Sequence, residues 1–118
     1  MSRARVPRRG DIVRLDFDPP AGHEQAGFRP AVVISNSLYN ENASTIVVCP
    51  VTSRARGWPF EVALPVASRV QGFVLVDQIR VVDWRARKAR VLGACSADIM
   101  DEIDARLDVL FRGASRDQ

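Results

Sequence analysis

The 118-residue chain has room for one hydrophobic core, and its 47% apolar and 26% charged residues are ordinary for a globular domain. No apolar run reaches membrane-spanning length and the basic start Met1-Ser2-Arg3-Ala4-Arg5 has no apolar stretch behind it, so a cytoplasmic protein without membrane contact is expected. Two cysteines and the single His23 argue against a disulfide scaffold or zinc site, and the net charge of +3 is uneven: residues 1–96 carry 14 Lys and Arg against 8 Asp and Glu, residues 97–118 only 3 against 6.

The first predicted strand, 11–17, alternates apolar and polar side chains through Ile12-Val13-Arg14-Leu15-Asp16-Phe17, the mark of a half-buried strand. A long loop follows, 18–29, with no periodicity of its own. Loops of that length are usually functional or disordered. Continuous apolar runs predict central strands at 31–35 and 45–51, with a short helical turn near 36–40 between them. Further strands are predicted at 60–64, 73–76, 79–84 and 89–92, punctuated by Gly57, Pro59, Pro65 and Gly72 and by a turn in Arg85-Ala86-Arg87-Lys88. One helix closes the chain. Ser96 is a good N-cap, Asp98, Asp101 and Glu102 load the first turns with negative charge, and Arg112 stands near the end. Ile99, Ile103, Leu107 and Leu110 form its apolar stripe, widened by Met100 and Phe111.

These elements predict one domain over 1–118 with its core at about 9–112. It is mainly β: a small, strongly bent SH3-like β-barrel with a C-terminal helix on an open side. If the strands run up and down in sequence, the loops at 18–29, 52–59 and 77–78 share one rim. Glu24, Arg29, Thr52, Asp77 and Gln78 would then converge, while 37–44 and 65–71 would lie at the opposite rim.

An acid, a cation and hydroxyls at one rim fit metal-free cleavage of RNA. That reaction deprotonates a ribose 2′-OH, protonates the departing 5′-oxygen and neutralises a crowded phosphorane. One histidine excludes a His–His pair within a subunit, and no carboxylate cluster has metal-ligand spacing. Neither metal nor cofactor is expected. Each residue also has an ordinary reading: Glu24 as a solvated loop acid, Arg29 as an ion pair, Asp77 as a cap, Thr52 and Ser53 as turn residues. Arg54 and Arg56 precede Trp58 and Phe60 on one loop, able to hold phosphates and stack unpaired bases, or else to cover the barrel mouth. Trp84 among Arg85, Arg87, Lys88 and Arg90 reads as a solvated face or an interface. Lys88 is the sole lysine among the cations. Arginine's planar fork suits phosphate, although genome composition alone can favour it.

The blocks Gly10-Asp11-Ile12, Asp16-Phe17-Asp18-Pro19, Gly22-His23-Glu24-Gln25-Ala26-Gly27, Arg29-Pro30-Ala31-Val32-Val33, Val48-Cys49-Pro50-Val51-Thr52-Ser53, Gly57-Trp58-Pro59-Phe60-Glu61-Val62 and Asp77-Gln78-Ile79 occur in this order. They resemble the MazF/PemK-type endoribonuclease toxins of bacterial toxin–antitoxin pairs over about residues 9–111. The resemblance implies the MazF/PemK/CcdB-like toxin fold and a homodimer. It also implies metal-independent cleavage of single-stranded RNA (mRNA) at a short sequence, leaving a 2′,3′-cyclic phosphate and a 5′-OH and so arresting translation and growth.

By the same resemblance Arg29 matches the catalytic arginine, Thr52 the transition-state hydroxyl and Glu24 a loop acid. His23 and Asp77 match positions given catalytic roles in the PemK branch. That branch has an arginine two residues before the aspartate, where this chain has Leu75, so Arg29 and Thr52 are favoured. RNA contacts are expected from Gln25, Phe28, Ser53, Arg54, Arg56, Trp58, Gln78 and Arg80. The implied partner is an antitoxin with an acidic, flexible tail. Two alternatives share the fold: a gyrase poison acting by protein binding, and a relative that binds RNA without cutting it. The first type relies on C-terminal residues including a tryptophan, whereas this chain ends Arg116-Asp117-Gln118.

Overall fold

The computed structural model describes residues 5–16, 28–66 and 68–113. Among them are seven strands, β1 (Asp11–Asp16), β2 (Phe28–Val33), β3 (Thr45–Thr52), β4 (Glu61–Ala63), β5 (Phe73–Leu75), β6 (Arg80–Asp83) and β7 (Arg90–Ala94), with helices α1 (Ser37–Asn42) and α2 (Ala97–Arg112). Every predicted strand has its counterpart, and α1 occupies the predicted helical turn, with Asn36 accepting the Tyr39 N–H at 2.9 Å. β2 starts earlier than the apolar run indicated, at Phe28. Pro30 explains this: proline fixes its own φ and forces the preceding residue into extended backbone, which draws Arg29 out of the loop and into the strand.

Paired strands are antiparallel throughout, in the order β4-β5-β3-β2-β1-β7. The eight-residue β3 carries β2 on one edge. On its other edge it carries β6 against Thr45–Val48 and β5 against Val51 and Thr52. β5 and β6 are therefore two pieces of one ribbon, interrupted where residues 75–79 face only Cys49 and Pro50. Pro50 has no amide hydrogen to give a ladder, and prolines within sheets sit at such interruptions.

The simple up-and-down arrangement does not hold. β4 lies outside β5, and the 64–72 connection between them opens beside Thr52, because Phe73 pairs with both Thr52 and Ala63. Asp77 and Gln78 occupy the interruption partway along β3 instead.

Alternation along the strands builds two cores. Ile12, Val32, Cys49, Val51, Val62 and Val74 face α2, which adds Ile99 and Ile103. Val13, Leu15, Ala31, Val33, Ile46, Val48, Val82 and Trp84 fill the other face. Ile103 is fully enclosed, and its burial contributes about 2–3 kcal/mol. That second face is enclosed by curvature. β6 and β7, at opposite edges, are joined through residues 84–89, with Ala89 N–H donating to Trp84 O at 2.8 Å. The sheet curls into a small SH3-like barrel without a ladder closing that seam among the described residues. Trp84, only 3% exposed, plugs it, and the Arg85 guanidinium lies 4.8 Å from its ring. Trp84 is thus core, not part of a solvated face.

Ser96 caps α2 by accepting the Ile99 N–H at 3.3 Å, and Gly113 ends it with φ 67°. The apolar stripe is buried only in part. Leu110 and Phe111 are exposed, the latter by 71%, because the last turn runs past the core that Ile99 and Ile103 enter. No helix among the described residues is long and apolar enough to cross a membrane.

Candidate active site

Arg29 pairs with Leu15 of β1 and is half-buried. On its other side the β2–β3 register runs Val33 with Val48, Val32 with Cys49 and Ala31 with Pro50. The paired part of that ladder ends at Ala31 and Pro50; carried two residues further, the same register would set Arg29 opposite Thr52. Neighbouring Phe28 pairs with Asp16, and its half-exposed ring lies under the Arg14 guanidinium, 3.8 Å from the carbon to the centroid.

Thr52 ends β3. Its Oγ1 accepts the Arg54 N–H at 3.3 Å, which turns the chain outward through Ser53 and leaves the hydroxyl proton available to a ligand. Gly72 is packed against this residue with φ 132°. A Cβ there would come closer to the Thr52 carbonyl oxygen than the 3.0 Å that real Cβ atoms keep, and 3.1 Å from Val51 Cγ1. Only glycine lets the β5 ribbon approach so closely.

The loop from Ser53 to Phe60 is braced at three points. The Glu61 carboxylate accepts the Arg56 N–H at 2.9 and 3.1 Å, and Arg106 of α2 donates to Pro59 O at 2.8 Å. Trp58 Nε1–H donates to Asp77 Oδ2 at 2.9 Å. Arg106 is itself held by Glu102, 3.7 Å away. Arg54, Arg56 and Trp58 are exposed on this loop, and Gly57 (φ 70°) makes its turn. Arg80 is exposed on β6 opposite Val48.

Of the sequence-derived candidates, then, Arg29, Thr52, Phe28, Ser53 and Arg54 gather at the open end of β2 and β3. Asp77 lies beyond β5, in the interruption opposite Cys49 and Pro50, two to three residues back along β3 from Thr52. Asp77, Gln78, Trp58 and Arg56 form a neighbouring group. His23, Glu24 and Gln25 lie outside the described residues. Arg14, Glu61, Gly72 and Arg106 belong to the site's framework and escaped the sequence reading. Glu61 lies in the block Gly57–Val62 and Gly72 separates two strands, but their partners are set by tertiary pairing alone.

Neither cysteine offers a nucleophile. Burial, aided by the Asp77 charge, pushes the Cys49 thiol up to about 12, and burial with the Asp11 charge pushes Cys95 up to about 11. Among the described residues no three His, Cys, Asp or Glu side chains come together as a metal site would require. What the ends of β2 and β3 carry is Arg29 on one strand and Thr52 on the next, with the exposed Arg54 bonded through its N–H to Thr52: donor types suited to a phosphate oxyanion.

The family description "PemK-like, MazF-like toxin of type II toxin-antitoxin system" matches residues 8–111. The chain belongs to this toxin family. This toxin is 42% identical over 106 residues to the endoribonuclease toxin MazF of Escherichia coli K12, covering 90% of the chain and 95% of that protein. It is 39% identical over 107 residues to the endoribonuclease PemK of E. coli, covering 87% and 80%. Among solved structures, the MazE-MazF complex (Form-II) of Deinococcus radiodurans contains a chain with 47% identity and a TM-score of 0.84, over 92% of this toxin and 97% of that chain. A second crystal form, of MazF from the same organism, gives 47% and 0.82, over 92% and 98%. The bent sheet with its C-terminal helix is thus the family's fold.

Proposed function

We propose that this toxin cleaves single-stranded RNA at a short sequence without a metal, with Arg29 and Thr52 as its catalytic pair. The chain is a MazF-type endoribonuclease toxin, one catalytic domain of a toxin–antitoxin module. Family membership at 42% identity to a named endoribonuclease carries this reading, and it is supported by the β2–β3 register, which carried two residues further would set Arg29 opposite Thr52. The ribose 2′-oxygen attacks the adjacent phosphorus, the P–O5′ bond breaks, and a 2′,3′-cyclic phosphate and a 5′-OH remain. In the crowded phosphorane the Arg29 guanidinium offsets the charge and the Thr52 hydroxyl donates to a non-bridging oxygen. Glu24, with His23 as second candidate, takes the 2′-proton, and the departing 5′-oxygen is protonated by water or by the acid so formed. Phe28, Ser53, Arg54, Arg56, Arg80, Gln25 and Gln78 hold the flanking nucleotides.

The MazE-MazF complex of a relative supports a cognate antitoxin. In this proposal an acidic segment of that antitoxin covers the arginine-bearing loop, and the toxin acts as a homodimer in the cytoplasm, where mRNA is found. The experiment is cleavage of a long single-stranded RNA in excess EDTA, with the new ends mapped. Cuts at one motif leaving cyclic phosphate and 5′-OH are expected, and Arg29→Ala should lose at least a hundredfold in rate. Wild-type activity in that variant, or cutting that stops in EDTA, would refute the assignment.

A further inference from the structure

Resting on that reading, we infer that Trp58 is a preformed platform for one unpaired nucleobase and that Asp77 is its positioning residue, not a proton-transfer group. Trp58 is 48% exposed, an unfavourable state for so large an apolar ring, and yet it is held firmly. Its loop is tied at Arg56 N–H by Glu61, at Pro59 O by Arg106 and at the indole itself by Asp77. The indole N–H lies in the ring plane. A 2.9 Å hydrogen bond from it to Asp77 therefore fixes the orientation of the ring while covering neither face. Phe60 buttresses it with its centroid 5.6 Å away and its ring tilted by 44°. An exposed aromatic fixed in advance can stack a base without first losing rotamer freedom.

The placement of Asp77 agrees. It lies in the interruption opposite Cys49 and Pro50, two to three residues back along β3 from Thr52 (roughly 7–10 Å at about 3.3 Å per residue), outside hydrogen-bond reach of Thr52, and its carboxylate is engaged by the indole. A base stacked on Trp58 belongs to a nucleotide flanking the cut. A bare carboxylate on a surface that meets RNA would repel the phosphates; engaged by the indole, its charge is partly satisfied.

The test compares Asp77→Asn, Asp77→Ala, Trp58→Ala and the Asp77→Ala/Trp58→Ala double variant. Binding is measured with a short 2′-O-methyl RNA carrying the mapped motif, which cannot be cut for lack of a free 2′-OH. Cleavage is measured with the unmodified RNA. Asparagine keeps an oxygen for the indole and removes the acid–base group, so Asp77→Asn should bind within about threefold of wild type with an unaltered pH–rate profile.

Asp77→Ala and Trp58→Ala should each bind about tenfold more weakly or worse, the loss of one stacked base. Turnover at saturating RNA should change little. The double variant should bind no more weakly than Trp58→Ala, since the two residues act as one unit. RNA should quench Trp58 emission in wild type and Asp77→Asn, with the buried Trp84 as a constant background. Equal loss of turnover in Asp77→Asn and Asp77→Ala would overturn the inference by making Asp77 a proton-transfer group. So would wild-type RNA binding by Trp58→Ala. A wild-type protein that cuts no RNA would instead sink the ribonuclease reading itself.

Discussion

Gly72→Ala is the substitution whose cost can be worked most directly from the structure. The new methyl meets two penalties. At φ 132° an L side chain is strained, at about 1–3 kcal/mol. The methyl also overlaps the Thr52 carbonyl and presses on Val51 Cγ1, and crowding of a packed site costs a similar ~1–3 kcal/mol. The middle of the combined range is about 4 kcal/mol. At this chain length each kcal/mol shifts the midpoint by about 4 °C, so Tm should fall by about 15 °C.

The relaxation that relieves the overlap must move either the β5 ribbon or Thr52. Displacing Thr52 by an ångström should lower turnover by about a hundredfold even at temperatures where the variant is fully folded. Circular dichroism melts give the first number, and single-turnover RNA cleavage well below the lowered Tm gives the second. A variant melting within about 3 °C of wild type and cutting at its rate would show that the glycine is not needed beside Thr52.

Asn40 is buried to 1% exposure and donates to Pro7 O at 2.9 Å and Ser35 O at 3.1 Å, so Asn40→Ala strands buried acceptors; a loss of about 1–3 kcal/mol, or roughly 1 M in the urea midpoint, is expected in denaturation curves. The folded Cys49 thiol titrates at about 12 against 9.0 when unfolded, so the unfolded chain loses its proton first. Stability should therefore decline as pH rises from about 9 toward 12, with Cys95 adding to the slope up to about 11; alkaline melts that stay flat in the wild type, or that fall as steeply in Cys49→Ala as in the wild type, would contradict this. Affinity for the uncuttable RNA should fall linearly on a log–log plot against salt, with a slope of about −0.7 for each phosphate neutralised, and Arg54→Ala or Arg56→Ala should each flatten it by about that amount.

Local patterning made much of this molecule readable. The alternation at Ile12–Asp16, the apolar runs at Ala31 and Ile46 and the Ser96 cap located their elements to within a few residues. β2 and β3 could be placed side by side because strands consecutive in sequence are usually neighbours in the sheet. What escaped was pairing at a distance. No period in 73–84 reveals that two short strands share the edge of β3, and so Asp77 was expected beside Thr52 when it sits beside Trp58. Trp84 is followed by four cations within six residues and reads as surface, yet the curl of the sheet encloses it. In α2 the heptad-like spacing is true of the helix but says nothing of how far the core beneath extends, which is why Leu110 and Phe111 stand in solvent.

The interrupted ribbon on β3 also dictates when the site can exist. Thr52 takes its position from Phe73, and the core face behind β3 is finished by Ile99 and Ile103. These pairings join segments some 20 to 50 residues apart, so closing them is slow and their assembly is cooperative. A nascent chain that has delivered Arg29 and Thr52 from the ribosome still lacks β5, β6 and α2. It has the reactive residues and no frame to align them. The frame around Thr52 can therefore close only once the chain through Ile103 is free of the ribosome, and chains truncated ahead of α2 are expected to leave RNA intact.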